Sequence, residues 1–105
     1  MHAAVTLKNL EEVHANYALF QYTMKYRKYD EACLQYTVTK RIFHKLKRKL
    51  SQEERKSEQV QQAAACVAKA KDELRRAGGF TLRNRLETAL CVLNPKCFFA
   101  YKYGA

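Results

Sequence analysis

Glycine and proline are scarce in this chain, with three Gly and one Pro in 105 residues. An all-β fold closes its short strands with turns built from those residues, so that class is excluded on turn chemistry. No uncharged apolar run approaches the roughly 20 residues that a membrane-spanning helix needs. Acid is scarce too: 10 Asp and Glu stand against 20 Lys and Arg, a formal net charge of +10. That imbalance points to an anionic neighbour, such as RNA, DNA, an acidic protein or an anionic membrane surface, and says nothing about fold. The four cysteines, Cys33, Cys66, Cys91 and Cys97, make no C-x-x-C pair. Cys33 and Cys66 fall on apolar helix faces, so we expect buried reduced thiols and an intracellular, reducing compartment, mitochondrion or cytoplasm. The first residues, MHAAVTLKNLEE, lack the basic start and apolar stretch of a secretory signal.

What is present is helical periodicity. In Tyr29 to Leu50 the core-type residues are Tyr29, Cys33, Tyr36, Thr39, Phe43, Leu46 and Leu50, at steps of 4, 3, 3, 4, 3 and 4. That is one buried stripe on a helix. Ahead of it, Leu10, Val13, Tyr17, Phe20 and Met24 form a second stripe, for which Thr6 and Asn9 are the available caps. The phase slips at Lys25-Tyr26-Arg27-Lys28. No Gly or Pro marks a turn there, which favours continuity; Asp30 and Glu31 suit a new helix start, which favours a break. An unbroken helix to Leu50 would be roughly 66 Å long, too long for a compact chain of this size.

Later boundaries are better marked. Ser51-Gln52-Glu53-Glu54 is a capping box and opens a further helix. Its first two turns are polar all round. Val60, Ala63, Ala64, Val67, Ala70 and Leu74 then form an alanine-rich stripe that ends at Gly78-Gly79. Thr81 caps a last helix with Leu82, Leu86, Ala89, Leu90 and Leu93 along one face, stopped by Asn94-Pro95. The tail KCFFAYKYGA reads as irregular. Its Phe98, Phe99, Tyr101 and Tyr103 need a surface, either this chain's own helices or a neighbour.

The chemistry-bearing residues make no constellation. His2, His14 and His44 are far apart, and Cys91-x5-Cys97 lacks zinc spacing. A Cys or Ser nucleophile beside an oriented His could be assembled only in space. There is no phosphate-binding Gly loop. We therefore expect no catalytic residues, no metal, no cofactor and no small-molecule substrate. The informative run is Lys40, Arg41, Lys45, Lys47, Arg48 and Lys49, six cations with no acid among them. Like charges at i, i+4 cost a few tenths of a kcal/mol per pair. The run fits an anionic partner, through phosphate-backbone or acidic-protein contact rather than base stacking. Tyr22 and Tyr26 fall off the stripe and are candidate protein-interface residues beside the tail aromatics.

The segment Tyr26 to Tyr36, YRKYDEACLQY, resembles the turn between the helices of a tetratricopeptide-type hairpin. Tyr29-Asp30-Glu31-Ala32 and Tyr36 match that pattern; Arg27 stands where the family usually has Gly. The three-helix MIT (microtubule interacting and transport) domain has a similar hairpin through about Leu74. The resemblance implies a helix–turn–helix with a groove for a protein or peptide.

These readings predict one all-α domain, a three- to four-helix antiparallel bundle or long helical hairpin with an aromatic C-terminal tail. Its helices are expected at roughly 7–26, 29–50, 52–77 and 81–93, with the tail at 94–105. The expected function is a non-catalytic, basic accessory subunit packed among other protein subunits, as in a respiratory-chain complex or ribosome. The alternatives are an RNA-binding module using the 40–49 face and a peptide-binding hairpin.

Overall fold

The computed structural model describes residues 3–104, with side chains from residue 7 onward. The described residues form six helices: α1 (Ala3–Lys25), α2 (Tyr29–Arg48), α3 (Gln52–Arg55), α4 (Glu58–Arg76), α5 (Leu82–Leu93) and α6 (Pro95–Tyr103). Their principal extents are 45 × 29 × 19 Å.

The three long helices bury the stripes that periodicity marks. Leu10 and Val13 of α1 meet Phe43, Leu46 and Leu50 at the end of α2, and Val60 and Ala63 at the start of α4. At the other end, Phe20 meets Ala32, Cys33 and Tyr36 of α2 and Ala70 and Leu74 of α4. So α2 runs antiparallel to both α1 and α4. Val67 packs against both clusters and joins them. The alanines at 63 and 70 have no measurable exposure, so the α4 backbone sits close to its neighbours. Thr39 is buried within the α2 stripe because its hydroxyl donates to the Gln35 carbonyl at 2.7 Å.

The phase slip is a true break. Lys28 N–H donates to the Thr23 carbonyl and Arg27 N–H to the Met24 carbonyl, both at 3.0 Å. This crossed pair is a Schellman motif, and its left-handed position is Arg27, at φ 57°. The end of α4 repeats it with glycine: Gly79 N–H donates to Leu74 O, Gly78 N–H to Arg75 O, and Gly78 takes φ 71°. One turn is announced by its glycine and the other is not.

Four expectations are corrected. The first helix begins at Ala3, so Thr6 and Asn9 both lie inside it and neither is its N-cap; no Gly or Pro stands there to stop the helix from starting earlier. The second helix ends at Arg48, and Leu50 is buried from the following bend. The expected helix 52–77 is two helices. Ser51 closes the capping box with Glu54 (3.0 and 3.1 Å), but Ser57 then caps a second start by accepting from Val60 N–H. The polar residues 52–59 have no apolar stripe to hold one continuous axis. The tail is not irregular: Asn94 accepts from Cys97 N–H at 3.2 Å, Pro95 opens α6, and Gly104 closes it at φ 63°. Asn94-Pro95 stops one helix and starts the next.

α5 and α6 are tied to the bundle by an ion cluster. Lys102 of α6 donates to Asp30 of α2 at 2.5 Å and to Glu87 of α5 at 2.7 Å. Glu87, 7% exposed, also accepts from Arg83 at 3.1 Å and from the Tyr101 hydroxyl at 3.4 Å. The two carboxylates hold the Lys102 ammonium and push it up from 10.5 to about 12. Lys102, against some burial, holds both Asp30 and Glu87 below their usual values of 3.8 and 4.5.

Two outcomes follow. Arg27→Gly should raise stability by about 1 kcal/mol, because glycine takes φ > 0 without a steric cost; a urea midpoint that falls would contradict the turn assignment. Lys102→Met should cost about 2 kcal/mol at neutral pH, the scale of charge-assisted hydrogen bonds lost around a buried carboxylate. The contribution of Lys102 is complete below its usual 10.5 and is lost as pH rises through about 12. That of the carboxylates is complete above their usual 3.8 and 4.5 and is lost as pH falls through their lowered values. Urea melts across pH should therefore show the wild-type advantage over Lys102→Met shrinking at both extremes; a pH-independent difference would contradict the ion cluster.

Candidate functional site

Holding Glu87 inward fixes which way α5 faces. Its inward residues are Glu87 and Thr88, whose hydroxyl donates to Cys33 Sγ at 3.5 Å. Half a turn away, Leu82, Leu86 and Leu93 are 74%, 61% and 83% exposed, with Ala89 exposed among them. Of the face read from the sequence, Leu82, Leu86, Ala89 and Leu93 thus form a crest in water, and Leu90 is half-buried beside it. A helix with its carboxylate inside and its leucines outside reverses the usual amphipathic arrangement.

Beside the crest, α2, α4 and α5 enclose an open cleft of about 730 Å³. Its apolar lining is Tyr36, Phe80 and Val92, with the exposed Ala89 and Leu93 continuing it outward. Phe80 reaches the floor because the Gly78-Gly79 turn folds it back onto Tyr36, edge to face at 5.5 Å. The cleft lining includes Lys40, Arg41, Lys71, Arg75 and Arg85 and no acid. None of these five makes a salt bridge among the described residues. Lys40 lies over the Tyr36 ring at 5.6 Å, which holds its stem along the wall. Burial pushes the Tyr36 hydroxyl above its usual value, with Arg75 opposing. Past Val92 a second open recess of about 700 Å³ is lined by Val38, Arg41, Ile42, His44, Lys45 and Arg48.

The basic run is therefore divided. Lys40 and Arg41 line the cleft, and Arg41, Lys45 and Arg48 line the recess. Lys47 turns away and covers the Phe43 ring at 5.5 Å, and Lys49 is exposed at the α2 terminus. Lys71, Arg75 and Arg85 come from other helices, and spacing along one helix could not associate them with the run. Of the aromatic candidates, Phe98 is 5% exposed and belongs to this chain's own packing. Phe99 and Tyr103 are exposed and stack at 5.7 Å. Tyr101 is exposed although its hydroxyl reaches Glu87. Tyr22 and Tyr26 are exposed on α1, their rings 4.8 Å apart, with exposed Leu19 nearby in the helix.

Space does assemble one cysteine–histidine pair, Cys66 Sγ and His14 Nδ1 at 3.5 Å. Burial pushes the Cys66 thiol up, the opposite of an activated nucleophile. Among the described residues no three His, Cys, Asp or Glu side chains gather as a metal site would require. No helix among them is long and apolar enough to cross a membrane. The expectation of buried thiols is corrected for Cys97, which is exposed; Cys33 is buried and Cys66 and Cys91 are half-buried.

No protein-family model matches the chain, and no curated protein or solved structure is significantly similar to it. At Tyr26–Tyr36 the chain turns between α1 and α2, as the resemblance implies for its hairpin.

The packing sets an order of thiol modification. With a disulfide reagent at neutral pH, Cys97 should react first, Cys66 slowly, and Cys33 only as the protein unfolds, as read by mass spectrometry of the labelled peptides. Early labelling of Cys66 ahead of Cys97 would indicate an activated thiol beside His14 and would contradict the packing described.

Proposed function

We propose that this protein is a non-catalytic, basic subunit that docks within a larger assembly through the outward face of α5. The observation that carries this reading is the orientation of that helix: Glu87 is buried and Leu82, Leu86 and Leu93 are in water. Burying a leucine side chain is worth about 1.5–3 kcal/mol. A crest of three leucines therefore represents several kcal/mol that the isolated chain leaves unused and that a neighbour can recover. The α6 aromatics Phe99 and Tyr103 and the α1 patch of Leu19, Tyr22 and Tyr26 add further exposed apolar area. The cations of the adjacent cleft make the partner an anionic one.

The test uses the tagged full chain expressed in its own cells, with Leu82, Leu86 and Leu93 each changed to Gln. These side chains touch solvent, so the isolated variant should melt within about 1 kcal/mol of the wild type. On gentle lysis the wild type should fractionate at high mass and the variant at the mass of the free chain. A variant that stays in the high-mass fraction as fully as the wild type would overturn the reading.

A further inference from the structure

We infer that the cleft between α2, α4 and α5 is the seat of an acidic amphipathic helix contributed by a partner protein. This deepens the docking reading above and rests on it. The chemistry of the cleft selects the occupant. Its apolar lining, Tyr36, Phe80 and Val92 with the exposed Ala89 and Leu93 beyond them, rewards aliphatic or aromatic side chains. Its cations, Lys40, Arg41, Lys71, Arg75 and Arg85, meet no acid within the cleft and none in a salt bridge elsewhere among the described residues. An occupant must therefore bring apolar groups along one face and negative charge along its edges. A helix with apolar residues at i, i+3, i+4 and i+7 and Glu or Asp beside them has both. A nucleic-acid backbone would answer the cations and leave the aliphatic floor unused. A bilayer surface would meet the convex leucine crest and leave the concave cleft unfilled. A second copy of this chain is disfavoured by its own net charge of +10. The crest continues the floor through Ala89 and Leu93, so a helix longer than the cleft would lie across both.

The experiment is a titration of the isotopically labelled full chain with a synthetic helix of about 15 residues, long enough for roughly four turns. The probe carries Leu at the i, i+3, i+4 and i+7 positions and Glu on both flanks. The expected result is binding that shifts the amides of Thr37, Lys40, Lys71, Arg75, Ala89 and Val92. Binding should weaken about tenfold or more in the Lys71→Glu/Arg75→Glu variant. A probe with Lys in place of Glu should fail on the wild type, and an amide spectrum of the variant as dispersed as that of the wild type shows that the variant is folded. Added salt should weaken binding without abolishing it, since the apolar floor is insensitive to screening. Equal binding by a probe whose leucines are replaced by Ser would overturn the inference, because the floor would then be idle. So would cleft shifts produced by a uridine oligonucleotide or by phosphatidylserine vesicles where the acidic helix produces none, and so would the absence of any cleft shift. Each of those failures leaves the leucine-crest fractionation untouched, so the identity of the occupant and the docking reading fall separately.

Discussion

A single ammonium group between two carboxylates decides what this molecule shows to its surroundings. Lys102 sits 2.5 Å from Asp30 and 2.7 Å from Glu87, and joins the start of α2, the middle of α5 and the end of α6. A carboxylate as enclosed as Glu87 is costly without compensating charge. Lys102 supplies that charge from α6 only if the Glu87 side of α5 faces the bundle, while Arg83, one turn away on α5 itself, adds to it from the surface. The leucines, half a turn away, then have nowhere to go but outward. The exposed crest is a consequence of the ion cluster and not an independent feature.

The bundle beneath has a simpler logic. α1, α2 and α4 bury apolar stripes of matching period, with the small side chains of Ala63 and Ala70 fully buried on α4. Two Schellman turns set the connections. The one after α1 brings α2 back along it; the one after α4 turns the chain so that Phe80 lands on Tyr36. That second turn places an aromatic floor between the cations of α2 and those of α4, and α5 supplies the far wall. A cation-lined, apolar-floored cleft thus follows from where one glycine pair ends a helix.

Periodicity made the core legible. Leu10, Val13, Phe20, Phe43, Leu46, Val60, Ala70 and Leu74 all lie where their spacing puts them. The Ser51 capping box was readable because its partners are three residues apart. The turn at Arg27 was obscure because its backbone takes a conformation usually marked by glycine. Helix α6 was missed because Asn94-Pro95 reads equally as a stop and as a cap followed by a first helical residue. The site was legible only in its α2 part. Lys71, Arg75 and Arg85 join Lys40 and Arg41 through tertiary packing, which no local pattern encodes. The spacing of Leu82, Leu86 and Leu93 revealed a stripe but not its direction. Direction is set by Asp30 and Lys102, 72 residues apart, and by the buried carboxylate they enclose.

The claim that everything else leans on is the outward orientation of α5 in the free protein. Paramagnetic relaxation of the leucine methyl resonances by a soluble gadolinium chelate reads it directly. The account predicts strong broadening at Leu82, Leu86 and Leu93 and almost none at Leu46 and Leu74, which are buried in the core. Crest methyls as well protected as those of Leu74 would mean that α5 packs its leucines inward, and would contradict the account at its root.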